Sequence, residues 1–482
     1  MRDVEFPQHL SPHTAKDDLT ALDAEQLAHG YQRGEFDPLQ VTRAVLDRIE
    51  RLNPLVNAYV HVAHDTALKE ARESTQRWQA GKPLSPLDGI PTSLKGLTDV
   101  AGMPARAGSL ITPATTCQQD APPVRRLREA GAILLGKTNT PEFGWKAVTD
   151  NLVHGTTSNA WNTQLTPGGS SGGAATAAAL NLGVLHQGGD SGGSIRIPAA
   201  FSGIFGFKPT FGWTPQWPPS KAAFLSSIGP MTRSPRDAAA MLNVIGRHDA
   251  QDPYANRGQP EDWGADIGKS LAGLRIAYSP CFGSVEVDPE IASLVERAAQ
   301  RLANLGADIV TVDPPVETSL ETFRKIWFTA SLGLWDDCDA QQREQLDPGL
   351  VENAMCAREW SSLDLFKALE ERYRITQALE KFNQDFHLLL TPSVAVTPFA
   401  LNHQVPPDSQ MHDWEEWAPF SYPFNLSGQP AASVPCGFTS QGLPVGFQLA
   451  GGKHDDVRLL RAAAAYMDAH PTAHPAEPFS AT

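Results

Sequence analysis

The sequence predicts an α/β protein in which α-helices cover both faces of a central β-sheet. Strand and helix signals alternate along most of the chain, which is the pattern that builds a sheet flanked by helices. The segments predicted as strands are continuous apolar runs, as expected for strands buried on both faces. The chain has 482 residues, 41% hydrophobic and 19% charged, a composition that supports a large apolar core.

The first clear element is a helix that begins after Asp37. Asp37 is a suitable N-cap because its carboxylate accepts hydrogen bonds from free amides of the first turn, and Pro38 suits the first helical position. Apolar residues then recur at helical spacing and predict one buried face: Val41, Ala44, Val45, Ile49 and Leu52.

Two more helices follow the same logic. One begins after Asp120 and ends near Gly131, and the apolar run 132–135 continues as a buried strand. The second has a capping sequence at 234–237 before its apolar face, which consists of Ala238, Met241, Leu242 and Ile245.

A fourth helix begins at Asp288-Pro289 and ends at Gly306, and the strand 309–312 follows it. The region 314–420 then breaks the alternation. It either packs as peripheral helices on the sheet or contributes part of a cap over a substrate pocket. In the second case its tryptophans favour an apolar or aromatic pocket: Trp327, Trp335, Trp360, Trp414 and Trp417.

The composition disfavours several classes of function. The formal net charge of −15 repels phosphate backbones and anionic lipids, which predicts no nucleic-acid partner and no membrane partner. Five widely spaced cysteines without a CxxC pair indicate neither a disulfide framework nor a cysteine zinc site. No apolar run resembles a signal peptide or reaches the roughly 18 residues of a membrane span. These features predict a cytoplasmic protein.

The most unusual segment is the cluster of four glycines and two serines at 168–173. Ordering glycine is entropically costly, so such a cluster suits a place where backbone amides face a ligand or the chain takes unusual dihedral angles. The alanine-rich run 174–180 predicts a buried helix, so Ser170 lies just before a helix N-terminus. A flexible glycine-serine turn is the alternative for this segment alone.

A second glycine-serine cluster follows at 188–194, and Ser194 lies 24 residues after Ser170. That separation leaves room for one helix and a return strand, so the two loops are predicted to meet in one pocket. Consecutive amides in the second loop suit an anion-binding nest, which is the form of an oxyanion hole in acyl transfer. Asp190 and Arg196 are predicted to hold this loop rigid as an ion pair.

A serine nucleophile needs a base within hydrogen-bond reach. His154 and His186 are the histidines closest in sequence, but neither has a recognisable catalytic context. Lys95 ends a strand-like apolar run at 87–95. Burial there favours the neutral amine that a general base needs near pH 7. A solvated lysine is the alternative for this position alone.

These segments together resemble the signature of the amidase-signature hydrolases. The likeness covers most of the chain in the expected order: GIPTSLKG at 89–96, LLGKTNTPEFG at 134–144, GGSSGG…GGDSGGSIRIPAAFSGIFGFKPTFG at 168–212, SSIGPMTRSPRDAA at 226–239 and PFNLSGQPAASVPCGFTSQGLPVGFQLAG at 423–451.

The resemblance implies the amidase-signature fold, a central twisted mixed sheet with helices on both faces. It implies a single domain over 1–482. The core signature spans about 85–245 and a C-terminal family segment spans 421–465. Before that segment lies the less regular region of about 314–420, for which the peripheral and the pocket-capping arrangement both stay open.

The resemblance also implies a Ser–cis-Ser–Lys triad. Ser194 falls on the nucleophile, Ser170 on the bridging serine and Lys95 on the base. The peptide bond before the bridging serine is expected to be cis. Backbone amides of four consecutive residues fall on the oxyanion hole: Ser191, Gly192, Gly193 and Ser194. The residues expected to support the loops are Gly169, Ser171, Asp190 and Arg196.

In the implied mechanism, neutral Lys95 accepts a proton from Ser170 while Ser170 takes one from Ser194, which attacks the carbonyl carbon. Water then resolves the acyl-enzyme. The predicted substrate is a small-molecule amide, anilide, carbamate or ester. The resemblance implies no metal and no cofactor, and the protein is expected to be a monomer or a homodimer.

Two positions depart from the family pattern. Gly96 stands where the family usually has Asp after the catalytic lysine, and Gly189 stands where it usually has Thr. Neither change replaces a triad member. The first removes a carboxylate close to Lys95, which predicts an altered environment for that lysine.

Two competing serine-hydrolase motifs are present, but the rest of the sequence does not fit the enzymes in which these motifs occur. The segment 189–193 spells the nucleophile loop of chymotrypsin-like proteases, with Ser191 as the nucleophile, yet the composition does not suit a disulfide-rich β-barrel. The segment 168–172 fits GxSxG, but the acid and histidine that should follow in order are not evident.

Two further alternatives concern function. The amidase component of the glutamine-dependent tRNA amidotransferase shares the triad and works within a complex. It usually has Gln where this chain has Ile197, and the segment 213–219 is more similar to stand-alone hydrolases. A catalytically inactive binding scaffold is disfavoured because all three triad positions are filled.

Overall fold

The computed structural model describes residues 18–258, 260–317 and 319–475. Its strands are β1 (Tyr59–Val62), β2 (Pro91–Lys95), β3 (Ile133–Thr138), β4 (Asp150–Asn151), β5 (Gly155–Thr156), β6 (Leu185–Asp190), β7 (Phe205–Lys208), β8 (Ser227–Thr232), β9 (Arg275–Tyr278), β10 (Asp308–Thr311), β11 (Leu388–Pro392), β12 (Ala431–Phe438) and β13 (Pro444–Gly451).

The helices are α1 (Ala24–Arg33), α2 (Pro38–Val56), α3 (His64–Gln79), α4 (Pro122–Glu129), α5 (Gly172–Ala179), α6 (Arg196–Ser202), α7 (Pro235–Ile245), α8 (Pro289–Asn304), α9 (Leu320–Asp336), α10 (Ala340–Arg343), α11 (Pro348–Arg358), α12 (Ser362–Asp385), α13 (Pro423–Ser427) and α14 (Asp456–Ala469). In the part of the chain described, none is long and apolar enough to cross a bilayer.

Eleven strands form one mixed sheet in the order β1-β3-β2-β6-β8-β7-β12-β13-β11-β9-β10. The pairs β2–β3, β2–β6, β9–β10 and β9–β11 are parallel, and the other pairs are antiparallel. Strands β4 and β5 form a separate hairpin. The mixed sheet confirms the predicted fold class.

Helices cover both faces of this sheet, as the side chains of β3 demonstrate. Leu134 belongs to an apolar cluster with α4, α7, α8 and α14. Its neighbours Ile133 and Leu135 belong to a second cluster with α2, α3 and α5. Successive strand residues point to opposite faces, so each face of β3 is packed under a different set of helices.

The predicted helix caps are present. The side chain of Asp37 accepts from the Gln40 amide at the start of α2, and that of Ser234 accepts from the Asp237 amide at the start of α7. Asp288 caps α8. Each cap satisfies amides that lack a partner within the helix.

Two predicted strand ends differ from the structure. Strand β3 continues to Thr138 instead of ending at 135, because its pairing with β2 runs on to the partners Lys95 and Thr138. Strand β10 ends at Thr311, one residue before the predicted end.

Helices α9 to α12 form the less regular region. Helices α9, α11 and α12 pack around an aromatic cluster beside the sheet that includes Phe323, Trp327, Trp414 and Trp417. Phe323 stacks on Trp327 with ring centroids 5.6 Å apart, and Trp414 lies edge-on to both rings.

The sheet brings the two glycine-serine loops and Lys95 to one edge. Strands β2 and β6 are parallel neighbours, so their carboxyl ends meet at the same edge. Lys95 is the last residue of β2, and the loop 191–194 directly follows β6. Helix α5 begins at Gly172, just after Ser170.

Candidate active site

Lys95 is a buried lysine at the end of β2, with a relative exposure of 2%. Its Nζ atom lies 2.7 Å from Ser170 Oγ and 3.2 Å from the Gly189 carbonyl oxygen. The side chain of Gln187 fixes the strand end, since its Oε1 accepts from the Lys95 amide at 3.1 Å.

Burial lowers the pKa of Lys95 from its ordinary value to about 7, although the nearby Asp190 carboxylate acts in the opposite direction. Desolvation disfavours the charged ammonium. A substantial fraction of this amine is therefore neutral near pH 7.

The loop that carries Ser170 is tightly fixed. The Gly169–Ser170 peptide bond is cis, as predicted. A Cβ atom on Gly169 would lie 2.7 Å from backbone atoms of Val148, so a side chain does not fit there. The Ser171 hydroxyl bonds both the amide and the carbonyl of Gly189 at 3.2 Å, which joins this loop to the end of β6.

Ser194 lies in the second loop, 8% exposed, and lines the same cavity as Lys95 and Ser170. Its carbonyl oxygen accepts from the Ser171 amide at 3.1 Å. In this structure the Ser170 and Ser194 side chains are not hydrogen-bonded to each other. Catalytic hydrogen bonds often tighten only when substrate is bound.

Three backbone amides of the second loop have no acceptor among the residues described: those of Ser191, Gly192 and Ser194. Gly193 is the exception. Its amide donates to Asp190 Oδ1 at 2.8 Å, so among the four amides predicted to form the oxyanion hole this one already has an acceptor. The reason is that the Asp190 carboxylate folds back over its own loop.

Asp190 and Arg196 form a buried bidentate ion pair, and both side chains are fully buried. The guanidinium bonds the two carboxylate oxygens at 2.9 Å each. Burial alone would raise the pKa of Asp190, but the Arg196 charge and hydrogen bonds hold it well below its ordinary value. The carboxylate also accepts from the Ile195 amide at 3.2 Å, which orients the loop.

Sequence reasoning missed the distant residues that complete this network. Asn425 donates to Asp190 and accepts from Arg196 at 2.7 Å. Gln448 accepts from Arg196 at 2.8 Å. Both lie in the segment 423–451, which carries part of the likeness to the family, but nothing in their spacing connects them with residue 196.

The cavity in front of these serines has a volume of about 240 Å³ and a largely apolar wall. Its aromatic residues are Phe143, Trp145, Trp217 and Trp327. The tryptophans of 314–420 predict an aromatic pocket, but of those five, all within the described residues, only Trp327 lines the cavity. Trp414 instead packs behind the second loop, where a Cβ on Gly192 would lie 2.9 Å from its ring.

The two departures from the family pattern fall on different sides of Lys95. A Cβ on Gly189 would lie 3.9 Å from Lys95 Cδ and 4.0 Å from Lys95 Nζ, so a side chain there would be in van der Waals contact with the lysine. Gly96 lines a separate cavity. Its backbone amide bonds the Thr138 carbonyl at 2.9 Å.

The histidines considered as bases lie elsewhere. His186 is fully buried and its Nδ1 is 2.8 Å from Ser93 Oγ; burial lowers its pKa to about 3. His154 lines the separate cavity. In the residues that the structure describes, no three His, Cys, Asp or Glu side chains are grouped so as to hold a metal ion.

Comparisons with known proteins agree with this geometry. The family model for amidases matches residues 40–460. The chain is 33% identical over 462 residues to an acylamidase from Rhodococcus erythropolis, covering 94% of this chain and 96% of that one. It is 35% identical over 480 residues to the A subunit of the glutamyl-tRNA(Gln) amidotransferase from Myxococcus xanthus, covering 94% and 98%.

Solved structures show the same likeness. A bacterial aryl acylamidase of the amidase signature family superposes with a TM-score of 0.86 at 27% identity, covering 93% of this chain and 96% of that one. The length of the match and the shared fold establish that this chain belongs to the amidase family, the amidase-signature hydrolases of amide bonds.

Proposed function

We propose that the protein hydrolyses a carbon–nitrogen amide-type bond through an acyl-enzyme on Ser194. The observation that carries this proposal is the 2.7 Å contact between Lys95 Nζ and Ser170 Oγ, made by a lysine whose pKa burial lowers to about 7. A neutral amine so close to a buried hydroxyl is suited to act as a general base.

The proton follows a relay of three side chains. Neutral Lys95 accepts the Ser170 proton while Ser170 takes the proton of Ser194, whose oxygen bonds the carbonyl carbon. The relay then returns the proton to the leaving nitrogen as the carbon–nitrogen bond breaks. Water attacks the acyl-enzyme by the same route and releases the carboxylic acid and free Ser194.

The oxyanion that forms during each attack needs hydrogen-bond donors. Among the residues described, the free amides of Ser191, Gly192 and Ser194 supply them. We exclude the Gly193 amide from this set because it donates to Asp190.

Activity is expected to rise with pH and to reach half its maximum near pH 7. Burial lowers the pKa of Lys95 to about 7, and only the neutral amine accepts a proton. The base is therefore lost as the pH falls through that value. Measuring kcat/KM between about pH 5 and pH 10 tests this, and a profile that is flat or falls with rising pH would contradict it.

The cavity lining favours aromatic substrates. Four aromatic side chains line a cavity of about 240 Å³, and aryl groups pack well against such surfaces. Amides, anilides, carbamates and esters share one tetrahedral intermediate, so the triad alone does not choose among them.

A small panel tests this preference: p-nitroacetanilide, a p-nitrophenyl ester, an aryl carbamate, hexanamide and acetamide. We expect kcat/KM for the aryl substrates to exceed that for acetamide by on the order of tenfold or more, given the value of aromatic packing. The reverse order would contradict the aromatic-pocket assignment, and the ranking identifies the preferred scissile bond.

A second candidate function is that of the amidase component of a tRNA amidotransferase, because the Myxococcus xanthus relative is 35% identical. Such a protein requires partner chains. A purified chain that hydrolyses the panel alone supports the hydrolase, whereas a chain that labels with a fluorophosphonate but hydrolyses nothing supports the amidotransferase component. Absence of any serine adduct would instead support an inactive scaffold.

We further propose that the whole chain works as one amidase-signature unit, as a monomer or homodimer. The family match over residues 40–460 supports one continuous domain, and strands from β1 to β13 share one sheet, apart from the β4–β5 hairpin. Side chains of α9 and α11 line the cavity, which supports a capping role for part of the region 314–420.

A further inference from the structure

A second cavity of about 210 Å³ lies beside the catalytic one, and its titratable lining residues are all basic. Ala107 lines both cavities. Although the chain has 54 acidic residues, none of the described residues that line the second cavity is acidic. Its basic and imidazole side chains are His61, Arg106, Lys137 and His154.

Lys137 is the most buried of these cations, with a relative exposure of 2%. It is the cross-strand neighbour of His61. Its Nζ donates to the Pro104 carbonyl at 2.8 Å, and no carboxylate of the described chain forms an ion pair with it. An ammonium has three donors. Burial lowers the pKa of Lys137, while Cys117 and Asp99 act in the opposite direction. Asp99 itself lines the catalytic cavity.

Two more polar atoms of this lining are buried without a hydrogen-bond partner in the described part of the protein: Arg106 Nε and Thr140 Oγ1. Thr140 is 2% exposed. The Arg106 guanidinium makes one long hydrogen bond, to the Ser109 carbonyl at 3.5 Å. Buried polar atoms are normally paired, so these donors indicate a ligand that carries acceptor atoms.

The electrostatics favour a negative ligand. Burial lowers the pKa of His61, and the Lys137 charge lowers it further. Burial and the Arg106 charge likewise lower the pKa of His154. Both imidazoles are therefore mainly neutral near pH 7, and the charged groups of the cavity are Lys137 and Arg106, with no anion among the described lining residues.

Gly96 lines this cavity at the position where the family usually has Asp. A Cβ atom there would lie 3.2 Å from Thr140 Cγ2 and 2.9 Å from the Thr138 carbonyl oxygen. The 2.9 Å approach to a backbone oxygen is closer than a Cβ atom tolerates, so a side chain at residue 96 requires a backbone shift. In this chain the carboxylate is absent from the sequence while Lys137 and Arg106 remain.

We propose that this second cavity binds a small carboxylate with a short apolar chain. The carboxylate accepts hydrogen bonds from Lys137 and Arg106. The apolar chain contacts the apolar side chains of the lining: Val60, Pro104, Ala107 and Ala114. Inorganic phosphate has no apolar group that could contact these side chains.

Thermal unfolding of the purified full-length protein with sodium butyrate tests the ligand class. Sodium chloride at equal ionic strength is the reference. Saturating butyrate is expected to raise Tm by about 2 °C, because a ligand that binds only the folded state stabilises it. Phosphate and n-butanol are expected to give smaller shifts. An equal shift with phosphate would overturn the assignment to a carboxylate, and no shift with butyrate would overturn the site.

Paired variants locate the binding. Gly96→Asp adds a carboxylate to the cavity lining, while Gly96→Asn adds a side chain of the same size without the charge. We expect calorimetry to give a Kd for butyrate about tenfold weaker or more for Gly96→Asp, since charged hydrogen bonds are lost. Gly96→Asn is expected to stay closer to the wild type. Equal weakening in both would overturn the electrostatic assignment.

Arg106→Gln provides an independent variant if residue 96 tolerates no side chain, and the exposed Arg43→Gln is its control. Arg106→Gln is expected to weaken butyrate binding, whereas Arg43→Gln is not. Butyrate bound in the catalytic cavity would be insensitive to Arg106, and that result would overturn the proposal. None of these measurements uses hydrolysis, so they stand apart from a failure of the proposed catalytic mechanism.

Discussion

Ser194→Ala is expected to lower kcat by a factor on the order of 10⁴ to 10⁶, the range seen when a serine hydrolase loses its nucleophile. Alanine removes the oxygen that bonds the substrate and leaves Lys95 and Ser170 with no proton to relay. Stability should change little, because the hydroxyl of Ser194, a residue that is 8% exposed, bonds neither Ser170 nor Lys95. The measurement is kcat on the best panel substrate, with a denaturation curve to verify folding.

Ser191→Ala is the matched control for this variant. It removes a hydroxyl from the same loop and the same cavity lining but keeps the backbone amide. Its expected loss of kcat is smaller by orders of magnitude. Full activity of Ser194→Ala together with loss of activity in Ser191→Ala would identify Ser191 as the nucleophile and overturn the relay.

Asp190→Ala is expected to destabilise the protein by about 3–5 kcal/mol, because it leaves Arg196 buried without its countercharge. Both side chains are fully buried, so water does not replace the lost partner. The variant also releases the amides of Gly193 and Ile195, and the loop 191–194 loses its anchor. Urea denaturation at pH 7 measures the change in the free energy of unfolding.

The exposed pair of Glu371 and Arg374 is the control, with side chains 46% and 65% exposed. Glu371→Ala should change stability by about 1 kcal/mol or less. The pKa of Asp190 is depressed, so its contribution is fully present above the unfolded pKa and is lost as the pH falls through the folded one. Equal effects of the two variants at pH 7 would contradict the assigned role of the buried pair.

Much of the fold followed from local patterns. The caps at Asp37, Ser234 and Asp288 were predictable because a side chain that bonds amides two or three residues away depends only on neighbouring sequence. Helical spacing likewise identified the buried face of α2. The end of β3 was not predictable, since it depends on pairing with β2, a strand about 40 residues away in sequence.

The candidate site was partly predictable, because some of its residues stand out in the local sequence. Lys95, Ser170 and Ser194 stood out because a lysine in an apolar run and glycine-serine clusters are unusual local compositions. The hydrogen-bond acceptor of the Gly193 amide was not predictable, because both a substrate oxygen and Asp190 are suitable acceptors. Only the folded loop decides between them.

The sequence by itself determined the family, the candidate residues of the triad and the fold class, since these depend on short segments and their order. The tertiary structure alone decided which aromatic residues line the cavity, that Asn425 and Gln448 hold Arg196, and that Gly96 opens onto a basic cavity instead of the catalytic one. Those features join residues tens to hundreds of positions apart, and such contacts exist only once the chain has packed.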